Sequence, residues 1–211
     1  QRQMCIRDRG TYCDTLSPVY SIYDTTMMGN TTGGNFYKFF GLQKNVLLVV
    51  DRAEYALPTS WRNRFLEQVG AQGTRILRVV DANQTPKAME SEIIQTLAVN
   101  PAIDSIICTT QNGTCAALRA VERYGRFVPI LGADFNQEIA QGIYDGTIRA
   151  SIVRNSYAYG YMGIENAIRI LCGQGIAETR TLDALVINSE NLFDPAYAPL
   201  LYDITAAPDG D

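Results

Sequence analysis

One carboxylate at the end of an apolar run is the feature of this sequence best suited to chemistry. The run Val128-Pro129-Ile130-Leu131 is followed by Gly132-Ala133-Asp134, which predicts a buried strand with an aspartate just beyond it. Ligands of open α/β sheets bind beyond the carboxyl ends of the strands. Because a carboxylate only accepts hydrogen bonds, paired hydroxyl groups suit it as donors. Asp134 therefore predicts a site for a polyhydroxylated ligand; the alternative is that its side chain caps the next helix.

Other polar or aromatic side chains lie close to the ends of the remaining predicted strands. The further candidates for ligand binding are Trp61, Asn83, Gln84, Thr110, Gln111 and Arg154. Amides and hydroxyls can both donate and accept, whereas Arg154 adds a fixed cation with a planar donor fork. Two roles are open for Arg154, namely pairing with Asp134 or binding a ligand carboxylate or phosphate. Two are also open for Trp61, stacking on a sugar face or packing its helix on the sheet.

Short apolar runs alternate with amphipathic stretches, which predicts an α/β fold with a parallel sheet. The predicted strands are Tyr20–Asp24, Asn45–Val50, Thr74–Val80, Ser105–Cys108, Val128–Leu131, Ser151–Val153 and Leu182–Ile187. The predicted helices are Thr25–Phe40, Pro58–Val69, Pro86–Val99, Thr114–Tyr124, Gln137–Tyr144 and Tyr157–Leu171. Residues 45–154 thus hold five strands and four helices in alternation, which is one complete doubly wound lobe. The tail from Asn188 has no clear period and is predicted to be extended or frayed.

The types of residue present argue against the common enzyme and metal classes. With no histidine, a Ser/His/Asp triad is excluded, and no pair among the five cysteines has the CxxC spacing of a zinc site. Cys108 and Cys115 are expected to be small buried apolar residues. The glycines of Gly29–Gly34 do not form GxGxxG and are expected to allow close helix packing. We predict neither catalysis nor a metal or cofactor.

Charge and hydropathy narrow the range of partners. The 211 residues are 46% hydrophobic and carry a formal charge of −4, without a cluster of lysine and arginine. This balance argues against nucleic acid or an anionic membrane as the partner of this segment. The sequence contains no apolar run of 18 residues that would span a bilayer.

The order of the segments resembles the type I periplasmic sugar-binding proteins and the effector domains of lactose-repressor-type regulators. The resemblance is carried by Gly132-Ala133-Asp134, Tyr144-Asp145-Gly146, Asn155–Gly163 and Pro101–Ile107. It implies a type I periplasmic-binding-protein fold of doubly wound parallel sheets, here with one complete lobe and part of a second. It also implies that Asp134 hydrogen-bonds a ligand held between the two lobes.

The resemblance also divides the chain, with crossings between lobes near Gln43, Asn155 and Thr181. Residues 10–43 and 155–180 are assigned to a partial N-terminal lobe, and residues 44–154 and 181–190 to a complete C-terminal lobe. Residues 191–211 form a tail. Residues 1–9 lack the apolar core of a signal peptide and are interpreted as an artefact or a disordered stretch. The chain is therefore interpreted as an N-terminally truncated fragment.

The function implied is that of an extracytoplasmic solute-binding protein, monomeric, which delivers a sugar-like ligand to the membrane subunits of an ABC permease. The alternatives are the effector domain of a transcription regulator and a sensor module fused to a signalling kinase. The sequence departs from ribose and galactose binders at the last crossover, where they often carry Gln and this chain has Arg154. This departure admits a modified or acidic sugar as ligand.

Overall fold

The chain forms one mixed sheet with helices on both faces. The computed structural model describes residues 25–42, 44–52, 61–70, 73–154, 156–174 and 184–201. The strands are β1 (Asn45–Val50), β2 (Arg75–Asp81), β3 (Ser105–Cys108), β4 (Ile130–Ala133), β5 (Ile148–Val153) and β6 (Leu185–Asn188). The helices are α1 (Thr25–Phe40), α2 (Trp61–Val69), α3 (Pro86–Val99), α4 (Gln111–Tyr124), α5 (Gln137–Tyr144), α6 (Ser156–Leu171) and α7 (Ala198–Leu201).

The six strands run in the order β2-β1-β3-β4-β5-β6. Every neighbouring pair from β2 to β5 is parallel, and β6 pairs antiparallel with β5. The predicted α/β doubly wound fold is therefore confirmed, although its last strand reverses direction. The register shows this reversal, because Val153, the last residue of β5, lies opposite Leu185, the first residue of β6.

The sheet is covered on both faces because its central strands are apolar on both sides, as parallel sheets require. Side chains of β1 alternate between two cores: Leu47 and Val49 enter one, and Val46, Leu48 and Val50 enter the other. Helices α3, α4 and α5 pack on the first face, and α1 and α2 on the second. The two cores bury a continuous layer of aliphatic side chains, which is the main favourable term in folding.

Helix α1 packs on this sheet, whereas residues 10–43 were predicted to belong to a partial N-terminal lobe; residues 10–24 of that range lie outside the described residues. Phe36 and Phe40 stack on each other with centroids 4.9 Å apart, and Phe36 meets Phe65 of α2 edge to face at 5.7 Å. All three rings are buried against the sheet. The close approach depends on Gly33, where a Cβ would lie 2.6 Å from Cβ of Gln68. The expectation that these glycines allow helix packing is thus confirmed at Gly33.

Helix α6 contrasts with α1 because none of its described side chains is buried. Instead it exposes four large apolar residues, Tyr161, Ile164, Ile168 and Leu171. Their spacing of three and four residues places them on one face of the helix. A contiguous exposed apolar stripe of this kind is typical of an interaction surface. No described helix is both long and apolar enough to cross a membrane.

Several element boundaries differ from the predicted ones, each for a local reason. Helix α4 begins at Gln111 and not at Thr114, because the Thr110 hydroxyl caps it by accepting from the Gly113 amide at 3.1 Å. Strand β4 covers 130–133 rather than 128–131, and β5 already begins at Ile148. The predicted cap at Thr85 with proline in the first turn is confirmed for α3.

The tail also differs from its prediction. Residues 189–197 form successive turns that lead into α7. Leu192 is buried in the first core, and Tyr197 and Leu201 are packed against that core. This segment is therefore part of the folded lobe as far as Leu201. The predicted strand Tyr20–Asp24, the start of the second predicted helix at Pro58 and residues 1–9 lie outside the described residues.

Truncating Phe36 should show that α1 is integral to this lobe. We expect Phe36→Ala to lower the free energy of unfolding by about 3–5 kcal/mol, because a fully buried ring is replaced by a cavity. The measurement is urea denaturation followed by circular dichroism. The matched control is Phe193→Ala, a ring that is 69% exposed, for which we expect a loss below about 1 kcal/mol. Equal losses for both variants would contradict the placement of α1.

Candidate functional site

The candidate site lies at the edge where the parallel strands end. Asp51 follows β1, Thr109 and Thr110 follow β3, Asp134 follows β4 and Arg154 follows β5. Because these four strands are parallel, their carboxyl ends share one edge. From β1 the chain adds β2 on one side and then β3 on the other side, so the direction of winding reverses between β1 and β3. Ligands of doubly wound sheets bind in the crevice beyond such a switch point.

Asp134 is the one described residue other than glycine with a positive φ, at +59°. This left-handed conformation disfavours side chains in general but is tolerated by aspartate and asparagine. Two contacts from β5 hold it: the Asp134 amide donates to the Ile152 carbonyl at 2.9 Å, and the Ser151 hydroxyl donates to the Asp134 carbonyl at 2.6 Å. Ser151 itself is fully buried. The backbone turn that aims the carboxylate is therefore determined by the neighbouring strand.

Arg154 holds the carboxylate of Asp134 from the end of β5. Its Nε donates to Oδ1 of Asp134 at 2.8 Å, and one terminal guanidinium nitrogen donates to Oδ2. Such a two-point contact fixes the plane of the carboxylate as well as its position. The side chains keep 35% and 21% exposure for Arg154 and Asp134, so the pair lies partly open to solvent. Of the two roles considered for Arg154, the structure contains the pairing with Asp134.

The alternative role considered for Asp134, capping the next helix, is wrong. Asn136 caps α5, with its Oδ1 accepting from the Ile139 amide at 2.8 Å. The Asn136 amide group also donates to Sγ of Cys115 at 3.3 Å. The Asp134 carboxylate is thereby left to Arg154 and to the edge of the sheet.

Thr114 anchors the end of β4 from the other side. Its hydroxyl accepts from the Ala133 amide at 2.9 Å and lies 2.9 Å from the Thr110 carbonyl oxygen. Thr114 is fully buried between α4 and the sheet. Only glycine fits at position 132, because a Cβ there would lie 2.6 Å from Cγ2 of Thr114. The residues just before Asp134 are thus fixed between Thr114 on α4 and Ser151 on β5.

Four of the other predicted site residues lie at the expected edge, where three side chains and the backbone amide of Asn83 form hydrogen bonds to nearby residues. The side-chain amide of Gln84 donates to the Asp81 carbonyl at 3.2 Å and to the Glu92 carboxylate at 2.5 Å, and the backbone amide of Asn83 donates to Oδ1 of Asp81 at 3.1 Å. The side-chain amide of Gln111 donates to the Phe135 carbonyl at 3.0 Å. Thr110 caps α4. Ligand contact by these four stays a prediction. Trp61 begins α2, and its side chain lies outside the described part of the structure.

Sequence reasoning missed the residues that support the site. Thr114, Ser151 and Gly132 act by contacts across the sheet, which no spacing along the chain reveals. Thr109 also follows the predicted strand Ser105–Cys108 but is not among the candidates for ligand binding named above; its hydroxyl is buried beyond β3 with no hydrogen-bond partner among the residues that the structure describes. A buried hydroxyl without a hydrogen-bond partner destabilises the folded state, and this one lies at the edge of the sheet where ligands of such folds bind. The signal available was its position after β3, shared with Thr110.

The cysteines behave as the buried apolar residues expected. Cys108 and Cys115 are both buried and unpaired by disulfide. Burial raises the pKa of the Cys108 thiol, with the neighbouring Cys115 as a smaller cause. Burial likewise raises the pKa of Cys115. Because the thiolate is the nucleophilic form, these two groups are not set up as nucleophiles at neutral pH.

Comparison with known proteins agrees with this fold. Residues 17–175 match the family model described as periplasmic binding protein domain. Among solved structures, a glucose-galactose binding protein, GanP, from Geobacillus stearothermophilus is 19% identical, with a TM-score of 0.72 over 81% of this chain and 62% of that one. No curated protein searched matches the sequence.

Two solute binding proteins of ABC transporters from Agrobacterium vitis are similar to the same degree. One, with bound D-fucose, is 18% identical, with a TM-score of 0.73 over 85% of this chain and 63% of that one. The other, bound with α-D-tagatopyranose, is 19% identical, with a TM-score of 0.74 over 85% and 61%. The chain thus spans about three fifths of the length of these structures.

A methyl group at position 132 should disturb the support of the site. We expect Gly132→Ala to destabilise the fold by about 1–3 kcal/mol, because the new Cβ would overlap Thr114 on one side and press on Ser151 on the other. The matched control is Gly34→Ala on α1, where a Cβ would meet nothing within 4 Å. Alanine there should be neutral or stabilising by up to about 1 kcal/mol. Chemical denaturation of both variants measures the difference. A Gly132→Ala variant with the wild-type free energy of unfolding would refute the close contact of position 132 with Thr114.

Proposed function

This chain belongs to the periplasmic binding protein domain family, and from that premise we propose that it binds a sugar-like small molecule between two lobes. We further propose that it is an extracytoplasmic solute-binding protein that hands its ligand to the membrane subunits of an ABC importer. The observation that carries the proposal is Asp134, whose carboxylate is fixed by Arg154 at the ligand edge of the sheet. The three sugar-binding structures described above support the class of ligand.

The chemistry of the edge suits hydroxyl groups. A carboxylate has about four lone-pair positions, and the fork of Arg154 occupies one on each oxygen. The remaining positions can accept from neighbouring hydroxyls of one sugar ring. Since the pair is partly exposed, a ligand can reach it, and closure over the ligand would strengthen these charged hydrogen bonds by excluding water.

The apolar stripe of α6 supports the proposal of a second lobe. The stripe consists of Tyr161, Ile164, Ile168 and Leu171, all exposed. The similar structures are longer than this chain, which covers 61–63% of their lengths. We propose that a second lobe packs on the stripe, with residues 155–180 contributing to it as predicted. In such a protein the ligand closes the two lobes by contacting both.

Binding rather than catalysis is the activity proposed, without a cofactor. The two described buried thiols are held protonated, and the whole sequence lacks histidine. We propose a monomer as the working state, with no nucleic acid bound by this segment. The regulator alternative has the same fold and differs upstream: a basic helix-turn-helix there would favour it, and a signal peptide would favour the transport protein.

A thermal-shift screen tests the proposed function directly. The sample is the full-length product of the gene that encodes this chain, and the panel holds neutral monosaccharides, sugar acids and sugar phosphates. A ligand at one hundred times its dissociation constant should stabilise the protein by about 2.7 kcal/mol. We expect a neutral monosaccharide to give the largest shift. A folded sample that responds to no member of the panel would contradict the proposal.

Removing the Asp134 carboxylate should abolish most of the binding. We expect Asp134→Ala to weaken the affinity for the best sugar by about 2–5 kcal/mol, because a charged hydrogen-bonding partner is lost and Arg154 keeps its charge. Isothermal titration calorimetry measures the change. The matched control is Asp145→Ala, an exposed carboxylate that follows α5 at the opposite edge of the sheet. Wild-type affinity in Asp134→Ala would remove this residue from the site.

A further inference from the structure

Asp134 and Arg154 form an ion pair at the ends of β4 and β5. Both oxygens of the Asp134 carboxylate accept hydrogen bonds from the guanidinium of Arg154. The two formal charges cancel, although each side chain stays partly exposed. We infer that Arg154 is a specificity-determining residue that acts through Asp134, and that it makes the site reject both sugar acids and amino sugars in favour of neutral ligands. This inference rests on the proposed sugar-binding function.

The geometry explains why a neutral ligand is favoured. A sugar acid brought to this edge would place its carboxylate beside that of Asp134, and like charges at short range repel. Two donors and much of the charge of the guanidinium already serve Asp134, so a ligand carboxylate would compete with Asp134 for the same cation. A protonated amino sugar would in turn meet the cation of Arg154 at the same carboxylate. Hydroxyl groups meet neither penalty, since they accept or donate without carrying charge.

The backbone explains why the pair is stable as a unit. Asp134 and Arg154 each follow the last residue of an adjacent strand, β4 and β5, whose register brings Ala133 opposite Ile152. The left-handed turn at Asp134, held by Ser151 and Ile152, points the carboxylate back toward β5. An arginine is suited to the contact because its planar fork matches a carboxylate at two points, which the amine of lysine does not. Arg154 is therefore both a positioning residue and the source of the compensating charge.

The decisive experiment changes the charge of the pair in both directions. Arg154→Gln lowers the net charge by one, and Asp134→Asn raises it by one. Probes are D-glucose, D-galactose and D-mannose, each with its 2-amino-2-deoxy form and its uronate, titrated at a pH where the amines are protonated. For the wild type we expect the neutral sugar of a triad to bind at least about tenfold more tightly than either charged form.

The two variants should move the selectivity in opposite directions. In Arg154→Gln, the ratio of amino-sugar to neutral-sugar affinity should rise at least about tenfold, and in Asp134→Asn the ratio of uronate to neutral-sugar affinity should rise by a similar factor. The double variant restores the net charge of the wild-type pair, so both ratios should return toward those of the wild type. Arg154→Lys should keep the wild-type ratios while binding the neutral sugar more weakly, because it keeps the charge and loses the fork.

A merely structural role for Arg154 would lower all affinities together and leave these ratios unchanged, which would overturn the inference. The control Glu67→Gln removes the carboxylate of an exposed ion pair with Arg64 on α2 and should leave both affinities and ratios unchanged. A wild type that binds neutral sugars but whose variants show unchanged ratios refutes the inference alone. Preference of the wild type for a uronate refutes it as well, with sugar binding intact. Binding of none of the nine probes refutes both the inference and the proposed function.

Discussion

The clamp around the end of β4 is the constraint on which the candidate site depends. Thr114 binds the backbone of Ala133 from α4, and Ser151 binds the backbone of Asp134 from β5. Both side chains are buried, so their hydrogen bonds are protected from competition by water. These two contacts fix the position of the turn between them. The turn holds Asp134 in a left-handed conformation, which is unfavourable by itself and persists because the surrounding contacts impose it. The backbone around Asp134 is thus held by contacts within the protein itself.

Other polar side chains at this edge also form hydrogen bonds within the protein. At the end of β3, the Thr110 hydroxyl caps α4, and the side-chain amide of Gln111 donates to the Phe135 carbonyl beyond β4. Their contacts fix the crevice in place around Asp134. A site built this way loses little conformational entropy on binding, because its side chains are already ordered.

Much of the fold could be predicted from the sequence, because the signals are local. The apolar run of β1 and the cap and proline at the start of α3 each specify their element within a few residues. Lobe membership of α1 could not be predicted, since it depends on Phe36 meeting Phe65 across the sheet face. The antiparallel direction of β6 depends on pairing with a strand more than thirty residues earlier. The position of Asp134 was predictable from its strand, whereas the roles of Ser151 and Thr114 required the three-dimensional structure.

The antiparallel pairing of β5 and β6 has a consequence for how the chain is threaded. Val153 and Leu185 face each other in the register, so the path leaves the sheet and returns to it at neighbouring points. The chain segment between these two residues, which includes α6, therefore begins and ends at paired positions of the sheet. In topological terms this segment is an insertion between two paired strands. Arg154 directly follows the strand end at which the segment leaves the sheet, so the ion pair with Asp134 lies next to that departure point.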